Sequence, residues 1–367
     1  DLRANFTFEQ YVQEYGKVYV DPKESQMREK YFKRNLIRIM SHNAEPGQTW
    51  FMGLNEFADW SLPEFEARRL YKGRQARLKM KSLPPSKLAF PANLTALAKH
   101  KKIPSSLDWR DKGVVTNVYN QGDCGSCFAF STTEAMESRS AIASGKLEKL
   151  SAQQVTSCTP NPKHCGGTGN CDGGVEALAY DYLAQFGGLA SAKAYPYEAS
   201  DGKDVTCRDK KDITPVATTT GHYQLPDNEY TPLMQAIQDG PVSVAIAVSD
   251  DMEFYEAGVY KCTMKKNRAK QCWAINHAVN LVGYGENKNG NMYWLVRNSW
   301  GADWGEDGYI RIKRFGEGKE PCGDDLSPGD GSACGPPYPK SVRVCGMSGI
   351  ISDSTFPKDA KLIHRDD

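Results

Sequence analysis

The first part of the chain has the hydrophobic and polar periodicity of helices. Between residues 24 and 43, side chains that recur at steps of three or four share one face, which predicts a single long helix. These positions are Glu24, Arg28, Phe32, Asn35, Ile39 and Asn43. Capping boxes at Thr7 and Ser61, each followed three residues later by Gln or Glu, predict two shorter helices. Residues 72–102 lack clear periodicity and are rich in Lys, Arg, Pro and Leu, which is typical of a linker.

The pattern after residue 103 predicts helices first and strands second. Helices are expected from Cys127 to Gly145, from Ser151 onward, and from Val175 to Phe186. Short β-branched and aromatic runs between glycine turns predict strands at 242–248, 278–284, 293–297 and 309–313. This order predicts an α+β fold with two lobes over residues 103–367, preceded by a mostly helical region over residues 1–102.

The net charge of +1 hides an asymmetry between these two regions. Residues 1–102 carry 19 Lys and Arg against 11 Asp and Glu, a net +8, so the remainder carries −7. A basic region and an acidic region in one chain favour contact between them over nucleic-acid binding. The 40% hydrophobic and 25% charged residues are typical of a soluble globular protein. No apolar run reaches the roughly 18 residues that a membrane span needs.

All eleven cysteines lie at or after Cys124. Ten of them can form disulfides and one is left over, which favours an oxidising compartment and one reactive thiol. Glycosylation sequons at Asn5 and Asn93 agree with passage through a secretory route. We therefore expect the protein in a lysosome or vacuole, or outside the cell.

The candidate for the reactive thiol lies in a Cys-x-x-Cys pair, Cys124 and Cys127. A zinc site would need a second pair of matching spacing, and thioredoxin-like redox chemistry would need a repeating βαβ setting; the sequence has neither. One structural and one reactive cysteine fit the odd count. Cys127 falls at a predicted helix N-terminus, where free N–H groups and the helix dipole favour a thiolate. No cofactor and no metal ion are expected.

A nucleophilic thiol needs an imidazole partner, and His277 is the best placed histidine. An unperturbed thiol is only a few per cent ionised at pH 7, whereas pairing with histidine can lower its pKa to about 3–4. His277 enters the apolar run 275–279, where a polar ring is costly without a purpose. A lone histidine there is more often a satisfied core residue, but beside the Cys127 motif the catalytic interpretation is favoured.

These motifs resemble those of papain-like cysteine peptidases, in particular the cathepsin L-like ones. The segment from Gln121 to Cys127 reads Gln-Gly-Asp-Cys-Gly-Ser-Cys, His277 stands in Asn-His-Ala-Val, and Asn298 opens Asn-Ser-Trp-Gly. The long-helix positions fit the ERFNIN spacing of the family's inhibitory prosegment. A companion motif is matched by Gly53, Asn55, Phe57 and Asp59.

The resemblance implies the inactive precursor of a peptidase with a helical left lobe and a β-barrel-like right lobe. Cys127 is then the nucleophile and His277 its base. Asn298 orients the imidazole, and Trp300 shields that contact. The side chain of Gln121 and the backbone N–H of Cys127 donate hydrogen bonds to the oxyanion. The prosegment lies along the cleft in the direction opposite to a substrate, and it blocks the cleft without being cut.

The resemblance also assigns the substrate-binding residues. Gly173 and Gly174 offer backbone that can pair with an extended substrate. The main specificity pocket is lined by Val175, Glu176, Ala245, Ile275 and Ala278, with Ile350 as a further candidate. Its apolar walls predict Leu, Val or an aromatic residue two positions before the scissile bond. Glu176 is either a source of polarity at the pocket edge or a solvated rim charge.

Disulfide pairing and two insertions complete the comparison with the family. The implied pairs are Cys124 with Cys171, Cys158 with Cys207, and Cys345 with Cys262 or Cys272. The partners of three cysteines stay open: Cys165, Cys322 and Cys334. Phe128 stands where the family usually has tryptophan. The stretch 158–171 is expanded, and residues 316–340 are expected to form a disulfide-tethered surface loop.

The favoured function is the zymogen of an endopeptidase. It is expected to act as a monomer on protein and peptide substrates, with its own prosegment as intramolecular inhibitor. Because low pH neutralises carboxylates, the charge split predicts acid-promoted processing near Lys102. A catalytically silent binding protein of the same fold is supported only by Phe128 and the insertions. An exopeptidase would need an insertion that closes one end of the cleft, for which residues 158–171 are the candidate.

Overall fold

The protein is described by a computed structural model over residues 6–71, 103–263 and 269–363. The expected linker, both sequons at Asn5 and Asn93, and Lys102 lie outside these residues. The α-helices are α1 Phe8–Glu14, α2 Pro22–Ala44, α3 Leu62–Arg69, α4 Cys127–Ser144, α5 Ala152–Cys158, α6 Glu176–Phe186 and α7 Tyr230–Ala236. The strands are β1 Trp50–Met52, β2 Leu107–Asp108, β3 Leu189–Ala190, β4 Pro215–Thr218, β5 His222–Gln224, β6 Val242–Ile246, β7 Tyr255–Tyr260, β8 His277–Glu286, β9 Met292–Arg297, β10 Tyr309–Lys313, β11 Cys322–Asp325, β12 Val342–Cys345, β13 Ser354–Pro357 and β14 Lys361–Leu362.

The two short N-terminal helices begin at the residues that their caps predict. At α1 the capping box is complete, because Thr7 and Gln10 each accept a hydrogen bond from the other's backbone N–H. At α3 the Ser61 hydroxyl accepts from the Glu64 N–H. The Glu64 carboxylate instead pairs with Arg28 of α2 at 2.6 Å. That ion pair joins α2 to α3.

One face of α2 organises the N-terminal part, residues 6–71. Phe32 is buried and its ring centroid lies 4.9 Å from that of Tyr11 on α1. The Asn35 amide donates to the carbonyl oxygens of Ala58 and Trp60, at 2.9 and 3.0 Å. These contacts explain the predicted periodicity, since the recurring face holds both α1 and the loop that precedes α3.

The largest sheet has nine strands and joins the N-terminal part to the rest of the described chain. Its strands follow the order β1-β7-β10-β9-β8-β6-β13-β5, and β2 pairs with β8. The first strand of this order, Trp50–Met52, belongs to the N-terminal part and pairs antiparallel with β7. Two smaller sheets are β11-β12 and β14-β4-β3. Helices and a mostly antiparallel sheet confirm the predicted α+β class.

Helix α4 packs directly on β8 and is joined to the end of β9 by an ion pair. The Ser131 hydroxyl donates to the carbonyl oxygen of Val279, and the Asn280 amide donates to the carbonyl oxygen of Ser131. Glu134 forms a buried ion pair with Arg297, the last residue of β9, with 3.2 Å between their atoms. The first turn of α4 is therefore held next to the start of β8 and the end of β9. In the described parts of the chain, no helix is long and apolar enough to cross a membrane.

The disulfides confirm two of the expected pairs and correct the third. Cys124 bonds to Cys171, and Cys158 bonds to Cys207. The expectation that Cys345 pairs with Cys262 or Cys272 is wrong. Cys262 and Cys272 bond to each other, and Cys345 bonds to Cys322, its register partner in the β11-β12 pair. The remaining bridge joins Cys165 of the expanded 158–171 stretch to Cys334 of the 316–340 insertion.

Candidate active site

Cys127 is the first residue of α4 and is fully buried. Among the residues described it is the one cysteine outside a disulfide. The preceding Ser126 does not cap the helix, because its hydroxyl bonds to the Tyr197 hydroxyl at 2.7 Å. Cys127 packs in one cluster with Ala278, so the thiol stands against the start of β8. The one cysteine of the described chain that is outside a disulfide is thus the residue that the sequence predicts as the nucleophile.

His277 is the first residue of β8 and is held from two sides. Its Nε2 lies 2.8 Å from Oδ1 of Asn298, and its ring stacks on Trp300 with 4.9 Å between centroids. Because Oδ1 of Asn298 also accepts from the Ser299 N–H, it is an acceptor, and Nε2 carries the proton. The other ring nitrogen, Nδ1, is buried and has no hydrogen-bond partner in the described structure. Nδ1 therefore carries no proton and is the ring nitrogen that can accept a hydrogen bond.

Burial favours the neutral forms of the thiol and the imidazole. Removal from water raises the pKa of Cys127 to about 12, although backbone N–H groups of Ala278 and Phe128 oppose that shift. The same effect lowers the pKa of His277 to about 4, against the hydrogen bond to Asn298. Burial of the site beneath the N-terminal part therefore opposes the thiolate–imidazolium pair that the sequence predicts for the active enzyme.

Gln121 is fully buried, and both polar atoms of its side-chain amide have hydrogen-bond partners. Its Nε2 donates to the carbonyl oxygens of Cys124 at 2.9 Å and of Arg69 at 3.1 Å. Its Oε1 accepts from the Ser299 hydroxyl at 2.6 Å. Arg69 belongs to α3, and its own guanidinium donates to the carbonyl oxygen of Gly122 at 2.7 Å. The backbone of the N-terminal part therefore occupies a donor that the sequence assigns to the oxyanion.

Tyr71, two residues after α3, is buried in the same cluster as Cys127. Its backbone N–H donates to the carbonyl oxygen of Asn276 at 2.9 Å. A Cβ on Gly173 would lie 3.3 Å from its ring, and Gly173 has a φ of +108°, which glycine adopts without strain. At Gly174 a Cβ would lie 2.9 Å from the Phe128 ring, so the residue that replaces the usual tryptophan fills that space.

Only part of the predicted specificity pocket lines one cavity. A cavity of about 500 Å³ is bounded by Val175, Glu176 and Ile275, together with residues outside the prediction. Ala245 and Ala278 are cross-strand partners in β6 and β8 and do not line it. The further candidate, Ile350, is fully buried in the core.

Family models match both regions of the chain. Residues 103–325 match the family described as "Papain family cysteine protease". Residues 8–65 match the "Cathepsin propeptide inhibitor domain". The chain belongs to the papain family of cysteine proteases. Its N-terminal part, hereafter the prosegment, is of the inhibitory kind that the family carries.

Relatives of known sequence and structure agree with this membership. Procathepsin L of Mus musculus is 38% identical over 303 residues, which cover 79% of this chain and 82% of the relative. Vignain of Ricinus communis is 37% identical over 341 residues, covering 92% and 85%. The structure of digestive procathepsin L2 proteinase from Tenebrio molitor superposes with a TM-score of 0.72 at 31% identity, covering 96% of this chain and 98% of that one. The papain-like two-lobed fold and the zymogen of a cysteine endopeptidase are thereby established.

Three residues near the site were missed from the sequence: Arg69, Tyr71 and Asp353. Tyr71 lies two residues after α3, and nothing in the composition of the linker that follows signals a buried contact. Asp353 sits among small residues before β13 and comes close to Glu176 only through the fold. In each case the residue reaches the site only through tertiary contacts, which leave no local signal in the sequence.

Proposed function

We propose that Cys127 is the nucleophile of the endopeptidase and that His277 is its base and acid. The supporting observation is that the single free thiol of the described chain heads α4 against β8, where Asn298 holds one nitrogen of His277 and leaves the other free. In the active enzyme the sulfur attacks the peptide carbonyl carbon, and His277 passes the proton to the leaving amine. Water then attacks the thioester, and its proton returns to Cys127 through His277.

Gln121 is proposed to stabilise the oxyanion with the backbone N–H of Cys127. Its amide is fixed by Ser299 and by the Cys124 carbonyl oxygen, so the donor is oriented before a substrate arrives. In the zymogen the same Nε2 donates to Arg69. Gly173, Gly174, Val175 and Ile275 are proposed to bind the substrate chain on the side of the cleft that Tyr71 now contacts.

The prosegment is proposed to span residues 1–102 and the peptidase residues 103–367. Residues 69–71 act as the block, since they bond to Gln121 and Asn276 and bury Cys127. Behind them, Phe65 contacts Trp300 edge-on, with 5.2 Å between ring centroids. Trp300 is therefore covered by His277 on one side and by the prosegment on another.

Acid-promoted processing near Lys102 is proposed from the charges between prosegment and peptidase. Arg38 of α2 pairs with Asp251 at 2.7 Å, Glu253 at 3.0 Å and Asp250 at 3.3 Å. Burial raises the pKa of Glu253 to about 8, so this group favours the docked state at low pH and opposes release. The attraction that processing has to overcome therefore rests on the ion pairs of Arg38 with Asp250 and Asp251.

The test is incubation of the purified full chain between pH 4 and pH 7, followed by hydrolysis of a fluorogenic peptide amide. We expect conversion to be fastest at low pH and peptide hydrolysis to appear with it. Cys127→Ala should abolish both, whereas Ser144→Ala, at the far end of α4, should behave as the parent. Hydrolysis that survives in Cys127→Ala would refute the assignment of the nucleophile.

The compartment is proposed to be a lysosome, a vacuole or the exterior of the cell, and the enzyme to be a monomer. Five disulfides in the described chain support an oxidising route. One of the relatives is the "KDEL-tailed cysteine endopeptidase" of Arabidopsis thaliana, 37% identical over 292 residues.

A further inference from the structure

Tyr197 lies behind the loop that carries Gln121 and Cys127. Its ring is partly buried and meets the ring of Phe130 on α4 edge-on, with 4.8 Å between centroids. Its hydroxyl oxygen lies 2.8 Å from the carbonyl oxygen of Gln121 and 2.7 Å from the hydroxyl oxygen of Ser126. One hydroxyl therefore contacts the residue that provides one proposed oxyanion donor and the residue that precedes the other.

The direction of these two hydrogen bonds follows from the groups that form them. A carbonyl oxygen can only accept, so the Tyr197 O–H donates to Gln121. The single proton of that hydroxyl is then used, and the Ser126 O–H donates to the Tyr197 oxygen. Ser126 is fully buried, and its side chain makes no hydrogen bond that caps α4. Two linked hydrogen bonds thus connect the start of α4 to the backbone of Gln121.

The Tyr197 hydroxyl completes the set of bonds that fixes Gln121. The backbone N–H of Gln121 donates to the carbonyl oxygen of Ser299 at 2.8 Å, and its side-chain amide bonds to Ser299 and Cys124. Its carbonyl oxygen accepts from Tyr197. Loss of the hydroxyl would free the peptide unit between Gln121 and Gly122 to rotate. The side chain that starts from this backbone would then be aimed less accurately.

The segment that carries Tyr197 is bonded to the fold on both sides. Two successive backbone N–H groups after Tyr197 donate to Oε1 of Gln153, a fully buried residue of α5, at 2.6 and 3.0 Å. On the other side, the carbonyl oxygen of Ser200 accepts from the Asp123 N–H at 2.8 Å. The segment therefore has a defined position against the loop, and it can hold the loop in place.

A tyrosine with two such bonds is not by itself a functional residue. Tyr284 in β8 has the same pattern, because its hydroxyl donates to the carbonyl oxygen of Pro104 at 2.9 Å and accepts from the Gln238 amide at 3.2 Å. Tyr197 differs in the groups that it joins, since both of them adjoin the proposed oxyanion donors. Tyr284 is therefore the matched control.

We propose that Tyr197 is a positioning residue for the oxyanion site, whose hydroxyl aims the Gln121 amide and the Cys127 N–H at one point. This inference rests on the proposed oxyanion donors. Donors that are oriented in advance need no rearrangement when the charge develops, so a poorly aimed donor costs rate and not substrate binding. The hydroxyl acts on the two donors and leaves the sulfur of Cys127 unchanged.

The first measurement is steady-state kinetics of acid-converted Tyr197→Phe on a fluorogenic peptide amide. Phenylalanine keeps the ring that packs on Phe130 and removes only the hydroxyl. We expect kcat to fall about tenfold, less than the 10²–10³ of removing a donor outright, with KM within about twofold of the parent. Tyr284→Phe should keep both constants.

The second measurement separates the oxyanion donors from the thiol. The thiol adds reversibly to the peptide aldehyde acetyl-Leu-Leu-argininal, and the aldehyde oxygen of the adduct lies where the oxyanion forms. Alkylation by iodoacetamide needs the thiol but no oxyanion donor. In Tyr197→Phe the inhibition constant of the aldehyde should rise about tenfold, whereas the alkylation rate should stay within about twofold of the parent.

Ser126→Ala tests the same pair of bonds from its other end. It should also lower kcat, and the double variant Tyr197→Phe/Ser126→Ala should lose little more than Tyr197→Phe alone, because both changes break one connection. Effects that multiply would show that the two hydroxyls act independently and would overturn the proposal. Ser126→Ala also provides the kinetic test if circular dichroism shows that Tyr197→Phe does not fold.

The remaining outcomes separate the role of Tyr197 from the peptidase assignment. Unchanged kcat and aldehyde affinity in Tyr197→Phe, in an enzyme whose parent the aldehyde inhibits, would overturn the positioning role alone. Equal losses of aldehyde affinity and alkylation rate would also overturn it, because the substitution would then act on the thiol. A parent enzyme that neither cleaves the peptide nor binds the aldehyde would count against the proposed site itself.

Discussion

The side-chain amide of Gln121 donates a 3.1 Å hydrogen bond to the main-chain carbonyl oxygen of Arg69. A prosegment carbonyl therefore satisfies the donor that is proposed to serve the oxyanion. The bond to an uncharged carbonyl is weaker than the one that this donor would make to a developing oxyanion.

Gln121→Ala should lower kcat of the processed enzyme by about 10²–10³ with a much smaller change in KM, since the lost donor acts mainly in the transition state. Steady-state kinetics on a fluorogenic peptide amide measures kcat and KM. Gln238→Ala, at a partly buried glutamine after α7, controls for the loss of an amide elsewhere. A change in KM alone would argue that Gln121 only positions the substrate.

The thiol should be almost unreactive in the zymogen and reactive after processing. Burial raises the pKa of Cys127 to about 12, which strongly disfavours the thiolate at neutral pH. Release of the prosegment admits water and lets His277 share the proton, so the pKa of the thiol falls. We expect alkylation by iodoacetamide, followed by mass spectrometry, to accelerate by at least about 100-fold. Equal rates before and after processing would contradict the neutral pair.

Arg38→Gln should accelerate conversion at neutral pH. The change removes the cation that pairs with Asp250 and Asp251 of the peptidase, which weakens docking of the prosegment by about 1–3 kcal/mol. We expect a roughly tenfold faster conversion at pH 7 and a smaller effect at pH 4, measured by gel electrophoresis. Lys33→Gln removes an equal charge from the same helix, at a residue that pairs with Glu29, and should convert like the parent. A rate at pH 7 that matches the parent would show that these pairs do not hold the prosegment.

Peptide mapping without reduction should recover the Cys165–Cys334 and Cys322–Cys345 cross-links. The double variant Cys165→Ser/Cys334→Ser should lose about 2–4 kcal/mol of unfolding free energy, because that bridge closes a far longer stretch of chain than the hairpin bridge does. Denaturant unfolding compares it with Cys322→Ser/Cys345→Ser, which should lose less. A Cys345 peptide linked to Cys262 or Cys272 would refute this connectivity.

Much of the fold follows from local patterns. The capping residues Thr7 and Ser61 and the spacing on α2 predict the prosegment helices because those signals act within a few residues. The proposed catalytic set could be named from the sequence because Cys127, His277 and Asn298 each lie in a short motif. Cys345 was assigned wrongly because the strands that align it with Cys322 lie in an insertion without a family pattern.

The environment of the site could not be predicted from the sequence for a different reason. The neutral state of Cys127 depends on how deeply Tyr71 and its neighbours bury it, and burial is a property of the assembled fold. Likewise, Asp353 reaches Glu176 only after β13 joins the sheet. A motif identifies the reacting groups but not the dielectric around them.

Strand β1 of the prosegment covers the edge of the nine-stranded sheet, so its departure changes that edge. While the prosegment is present, the main-chain groups of β7 near Val259 and Gly258 are paired with residues 49 and 50. Departure of the prosegment leaves β7 as the outermost strand of the sheet, with one row of N–H and C=O groups turned to solvent. The mature enzyme therefore acquires an open rim on which a foreign extended chain, or a second enzyme molecule, can add by main-chain hydrogen bonding.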